Sequence, residues 1–129
     1  MTEVLQNDEY ERRFAGVAKI YGEDSFNHYE HSHVMVIGIG GVGSWAVEAL
    51  ARTGLGELTL VDMDVIAASN INRQLPAMTT TLGHEKIEVM AERCRAINPR
   101  IKINLIDDYL TPDNIQDVLA NTPDLILDC

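Results

Sequence analysis

Gly38-Ile39-Gly40-Gly41-Val42-Gly43 stands between an apolar run, His33 to Ile37, and a stretch with helical periodicity. Glycines at such a junction let backbone N–H groups approach a phosphate, with the positive end of the following helix behind them. Gly38 permits a tight turn out of the strand, Gly40 lets the backbone come close to a phosphate, and Gly43 lets the helix pack on the strand. No Lys-Ser or Lys-Thr pair follows Gly43, so the loop is not a P-loop. Asp62 ends the second strand-like run, at the spacing of a carboxylate that takes ribose hydroxyls. Asp64 is either a second ribose contact or a solvated loop carboxylate. These features suit a dinucleotide that is held as well as a triphosphate that is attacked.

The stretch that separates the two is Ser69-Asn70-Ile71-Asn72-Arg73-Gln74, with Lys86 near the start of the next helix. Hydride transfer needs no further cations, because the helix N-terminus already serves the pyrophosphate of NAD. Attack on an α-phosphate needs them, since charge grows on the departing pyrophosphate. Arg73 offers a planar fork for phosphate oxygens. Lys86 offers a point charge near the transition state. Asn70 and Asn72 add donors without charge. The plainer reading makes Arg73 and Lys86 surface cations.

The elements needed to position these residues are legible as a pattern. Tyr10, Phe14, Val17 and Tyr21 share a helical stripe, with Asp8 as expected N-cap and Gly22 as stop. A second short helix is expected over 24–30. Strands are expected at "HVMVIG", "ELTLVD", "IKINLI" and "DLILDC", and helices over 42–53, over 83–98 and after Thr111-Pro112. One helical turn is expected after Ser69. Trp45 is expected to pack on the sheet. Strands alternating with helices predict a doubly wound, mostly parallel, Rossmann-like α/β sheet behind N-terminal helices. The expected division is a helical segment, 1–32, and a nucleotide-binding half-domain, 33–129. In such sheets the ligand crevice lies beyond the carboxyl ends of the strands. The chain ends at Cys129 beside that crevice, so it is expected to be the N-terminal portion of a longer protein; a complete small domain is the alternative.

The bulk composition excludes more than it assigns. A formal net charge of −10 over 129 residues disfavours nonspecific binding to a phosphate backbone, though a local basic patch is compatible with it. The polar start has no apolar core of a signal peptide, and no run approaches the ~20 apolar residues of a membrane span, so a cytoplasmic protein is expected. Cys94 and Cys129 lack metal-type spacing and read as free thiols. His28, His31 and His33 cluster but lack a carboxylate or Cys partner, and read as surface histidines rather than a zinc site. His84 also reads as surface.

"GIGGVGSWAVEALARTGLGELTLVDMDVIAASNINRQ", Gly38 to Gln74, resembles the adenylating domain of ubiquitin-activating enzymes and of bacterial activators of sulfur-carrier proteins, the E1-like or ThiF superfamily. The resemblance runs from about His33 to Cys129 and includes "INP" and "LILDC". "RFAGVAKIYG", Arg13 to Gly22, and "TPDN", Thr111 to Asn114, make it most similar to the tRNA threonylcarbamoyladenosine dehydratase branch.

The resemblance implies a ligase-type enzyme that uses ATP to adenylate and cyclise the N6-threonylcarbamoyl side chain of adenosine 37 in tRNA. It implies that Gly38, Gly40, Gly41, Gly43 and Asp62 bind ATP. Asn70, Arg73 and Lys86 would contact phosphates or the adenylated carboxylate. The alternative substrate is the C-terminal glycine of a sulfur-carrier protein; an NAD-dependent oxidoreductase is more distant. Homodimers are common in the superfamily. Its magnesium-holding aspartate falls beyond Cys129, which leaves Asp128 without that role and the segment alone expected to be inactive. An arginine that some members lend from the N-terminus of a partner subunit falls at Gly16 here, with Arg12, Arg13 and Lys19 nearby.

Overall fold

The computed structural model describes residues 5–129. Four parallel strands, β1 (His33–Ile37), β2 (Glu57–Val61), β3 (Lys102–Ile106) and β4 (Leu125–Asp128), lie in the order β3-β2-β1-β4. Helices α3 (Gly43–Arg52), α4 (Lys86–Ile97) and α5 (Ile115–Leu119) make the crossovers. Right-handed crossovers put α3 and α4 on one face and α5 on the other, because the winding reverses between β1 and β4. The cores show this division. Val34, Val36, Leu58 and Leu60 pack with Val47 of α3 and with Ile87, Met90 and Cys94 of α4. Met35 and Val61 point to the opposite face and pack with Val118 of α5. Successive strand residues thus serve different cores, which is why these segments read as unbroken apolar runs.

A helical hairpin, α1 (Asn7–Tyr21) and α2 (Glu23–Glu30), precedes the sheet. Tyr10, Phe14 and Phe26 form its core, with ring centroids of Tyr10 and Phe14 5.0 Å apart. The three rings close over Gly54 at the end of α3, where a Cβ would stand 2.9 Å from Phe26; Gly54 also has φ of +82°. The Tyr10 hydroxyl donates to the Gly54 carbonyl at 3.2 Å. Burial, and then the charge of Glu30, push the Tyr10 hydroxyl pKa up to about 12. Arg100 stacks 4.5 Å from the centroid of Tyr10 and donates to the Leu5 carbonyl at 2.8 Å and to Asn7 Oδ1 at 2.7 Å. On the other flank, Arg93 and Arg52 both bond Glu48, and the Arg93 hydrogen bond holds the Glu48 carboxyl below its usual range. Among the described residues no helix is long and apolar enough to cross a membrane.

Several local expectations are corrected. Asp8 lies inside α1, whose cap is Gln6, and its carboxylate accepts from the next backbone N–H. Tyr21 leaves the apolar stripe and packs edge-on against Tyr29. Helix α4 begins at Lys86 rather than Gly83, because Gly83 takes φ of +85° and Glu85 is extended, bridged to Val65. Helix α5 is capped at Asn114 rather than Thr111; Asn114 Oδ1 accepts the Thr111 N–H at 2.7 Å and so shapes the preceding turn. His33 is buried, with Nε2 2.6 Å from Thr59 Oγ1, and is not a surface residue.

Replacing Arg100 with Met keeps the aliphatic stem but removes its contacts to Leu5, Asn7, Tyr10 and Glu30. Chemical denaturation is expected to show a loss of about 1–3 kcal/mol, and proteolysis to cut first within residues 5–30.

Candidate functional site

The carboxyl ends of β1 and β2 and the segments that leave them form the candidate site. The glycine loop turns out of β1 at Gly38, which has φ of +88°. A Cβ on Gly43 would overlap the Gly38 carbonyl oxygen, so the loop closes on itself only with glycine there. Ile39 points into the main core and anchors the loop from below. Ser44 donates from Oγ to the Gly40 carbonyl at 2.5 Å and accepts the Leu75 N–H at 3.3 Å. Helix α3 starts at Gly43, so its free N–H groups face the loop.

Asp62 is buried and its carboxylate ties two loops together. Oδ2 accepts the Ile39 N–H and Oδ1 accepts the Asp64 N–H, each at 2.7 Å. Each oxygen keeps a lone pair, which leaves room for a ribose hydroxyl. Asp64 accepts the Tyr109 hydroxyl at 2.8 Å, and its other oxygen is 3.7 Å from Lys86 Nζ. The Tyr109 hydroxyl pKa is raised by that hydrogen bond. Asp62 and Asp64, with Ile37, Gly38, Val61, Asp108, Tyr109 and Leu110, line a cavity of about 220 Å³. It lies at the position the crevice rule assigns, outside the strand ends.

Lys86 is not a surface cation: it is 5% exposed and opens α4. Arg73 is exposed, but its stem packs on the glycine loop, with Cγ 3.4 Å from where a Gly41 Cβ would stand. Its guanidinium donates to the Ser69 carbonyl at 3.1 Å and to Asn72 Oδ1 at 2.9 Å. Asn70 turns Oδ1 to the Ala67 N–H at 2.9 Å. The oxygen ends of Asn70 and Asn72 therefore shape the loop and hold Arg73. Trp45 does not pack on the sheet. It is 52% exposed, and Nε1 donates to the Arg73 carbonyl at 2.9 Å.

Glycine loop, Asp62, Asp64, Arg73 and Lys86 are thus joined by contacts at one end of the sheet. The sequence reading did not single out Tyr109, although "DDY" follows the third strand where the crevice rule would look. It also left Gln74 of "SNINRQ" without a role. His84 is exposed and bonds through its backbone, its carbonyl accepting the Ile66 N–H and its N–H donating to the Thr81 carbonyl. Cys94 is buried, and burial pushes its thiol up to about 12, which suits a packing residue. Among the described residues no three His, Cys, Asp or Glu side chains converge as a metal cage. Asp62 and Asp64 are joined by no third ligand side chain among the described residues, so the magnesium ion that the family resemblance implies finds no ready ligand set here.

A doubly wound sheet with a glycine loop, a carboxylate at the end of β2 and two cations beside them defines a nucleotide-binding Rossmann-like protein. The chain belongs to the ThiF family, whose profile matches residues 10–129. It is 52% identical over 128 residues to the tRNA threonylcarbamoyladenosine dehydratase of Haemophilus influenzae, covering 99% of this chain and 49% of that protein. The Escherichia coli enzyme of the same name is 48% identical over 117 residues, covering 91% of this chain and 44% of the enzyme. The crystal structure of the E. coli enzyme in complex with ATP superposes with a TM-score of 0.93 at 44% identity, covering 98% of this chain and 52% of that one. The chain spans about half the length of the curated relatives it matches.

Two outcomes test this geometry. Gly43→Ala forces the new methyl onto the Gly38 carbonyl and is expected to cost about 3 kcal/mol or more in thermal or chemical denaturation. Trp45 is the single tryptophan and touches the loop that carries Arg73, so ATP titration is expected to change its emission; Trp45→Phe removes the signal, and the lost bond to the Arg73 carbonyl is expected to weaken calorimetric ATP binding by no more than about tenfold.

Proposed function

We propose that this chain is the ATP-binding part of a cytoplasmic tRNA threonylcarbamoyladenosine dehydratase. The reaction activates the carboxylate of the N6-threonylcarbamoyl group on adenosine 37. A carboxylate oxygen attacks the α-phosphorus, pyrophosphate leaves, and the acyl-adenylate is then closed by a nucleophile of the same side chain, releasing AMP. The glycine-loop amides and the start of α3 hold phosphate oxygens, and Asp62 accepts from ribose hydroxyls. Arg73 and Lys86 offset the charge that grows on the leaving pyrophosphate. Magnesium would accompany the nucleotide; its protein ligand is not assigned to any residue described.

The observation that carries this reading is the setting of Lys86. A buried ammonium 3.7 Å from Asp64, a carboxylate that lines the crevice, is a cation positioned for more than solubility. Hydride transfer has no use for it. The identities to the dehydratases support the tRNA substrate over a sulfur-carrier protein, while the acidic balance of the chain leaves tRNA contacts to basic surface outside this segment. A homodimer belongs to the same reading: Val42, Trp45 and Ile71 are large, exposed apolar side chains on and beside the phosphate cradle.

In the intact protein, tRNA carrying threonylcarbamoyladenosine is expected to support ATP–pyrophosphate exchange and to yield the cyclised base by mass analysis. Arg73→Ala and Lys86→Ala are expected to lower kcat about 10²–10³-fold and to weaken ATP far more than AMP. Exchange that responds to a ubiquitin-like carrier and not to tRNA would assign the sulfur-carrier alternative.

A further inference from the structure

Arg13 of α1, Arg52 of α3 and Arg93 of α4 line one cavity of about 480 Å³, with Phe14, Ala96 and Ile97 as its apolar lining. No carboxylate is among the lining side chains. Arg52 ends α3 and Ile97 ends α4, whereas the glycine loop and Lys86 stand at the starts of those helices. At about 1.5 Å per residue, the cavity lies roughly 10–15 Å down the helices from the phosphate cradle. In a chain of net charge −10, it gathers three cations away from the nucleotide crevice.

Folding accounts for part of this cluster. Arg13 donates from Nη1 to the Ile97 carbonyl at 3.0 Å and from Nη2 to Glu9 at 3.1 Å, which ties α1 to the end of α4. Arg93 grips Glu48 with two bonds, Nε at 2.5 Å and Nη2 at 3.0 Å, which ties α4 to α3. Arg52 is not needed for either tie. It adds a second guanidinium to a carboxylate that Arg93 already holds, through Nε alone at 2.8 Å. An exposed contact of that kind adds little to stability. Glu48 thus answers two cations with one charge, and a positive charge is left over at the cavity. A guanidinium carries five N–H donors. Among the described residues both terminal nitrogens of Arg52 and Nη1 of Arg93 are uncommitted.

We propose that the cavity between Arg13, Arg52 and Arg93 is a binding site for a backbone phosphate of tRNA, separate from the nucleotide crevice. Planar forks of this kind match the oxygens of a phosphate, and a backbone contact sets the register of a nucleic acid without reading its bases. The acidic balance of the segment, which turns tRNA away elsewhere, is locally reversed here. The proposal rests on the dehydratase reading, in which tRNA is the substrate.

The test measures tRNA affinity over a salt series with the intact protein and with Arg52→Gln, Arg93→Gln and Arg52→Lys. Each Gln variant is expected to weaken tRNA by up to about fivefold. Each is also expected to make the slope of log affinity against log salt shallower by about one. Arg52→Lys keeps the charge and is expected to restore the slope. Unmodified tRNA is expected to show the same change, since the backbone is what is read. ATP affinity and the Tm of Arg52→Gln are expected to stay as in the unsubstituted protein. An unchanged slope in both Gln variants, or a loss shared equally by ATP, makes the arginines structural and overturns the proposal. A Gln variant that loses inorganic phosphate binding but keeps the tRNA slope assigns the cavity to a free anion and also overturns it. If Arg93→Gln does not fold, the contrast between Arg52→Gln and Arg52→Lys decides. Failure of the unsubstituted protein to bind tRNA overturns the dehydratase reading itself, a result distinct from failure of the arginine variants alone.

Discussion

One carboxylate connects the parts of this site. Asp62, at the end of β2, accepts one backbone N–H from the glycine loop after β1 and another from its own onward loop. These are charge-assisted bonds in a largely buried setting, stronger than neutral ones. They hold the peptide of Ile39 while its side chain sits in the core. The onward loop then passes Asp64 to Tyr109 on one side and to Lys86 on the other. That clamp gives the glycine loop and the loop bearing the cations a common reference point at the end of β2. Binding chemistry and local fold thus use the same oxygens, which is compatible because each oxygen has two lone pairs.

The second clamp works from the α3 side. Ser44 bonds Gly40 and Leu75, and Trp45 bonds Arg73. The loop between β2 and α4 is long and polar, yet it is attached at both borders of the glycine loop. That attachment preorganises the donors and leaves the outer faces of Arg73 and Trp45 in solvent.

The architecture was readable because the central strands β1 and β2 are buried on both faces and each crossover carries its own apolar period. Gly38, Gly43 and Asp62 were readable because backbone geometry demands those residue types at those places. Helix starts were less so. Gly83 and Thr111 look like helix starts by composition, but a positive φ at Gly83 and the turn held by Asn114 delay α4 and α5. Burial of single polar side chains was not readable at all. Lys86 and His33 take their depth from tertiary neighbours, Asp64 and Thr59, that lie far away in sequence. Trp45 reads as a core aromatic by type, yet its indole N–H is claimed by a carbonyl on the surface loop. Tyr109 was overlooked because its partner, Asp64, is 45 residues away.

β1, the strand at the centre of the sheet, has a consequence for the order of events during synthesis. One of its edges pairs with β2, close in sequence, while the other pairs with β4, and the His33 N–H bonds Asp124 across 91 residues. The first edge is satisfied early by local chain; the second stays open until almost the whole of this segment has left the ribosome. Long loop closure makes that last pairing the slow one, and an unpaired apolar edge is adhesive while it waits. A nascent chain of this topology is therefore most exposed to mispairing and to chaperone capture in the interval between completing β2 and delivering β4.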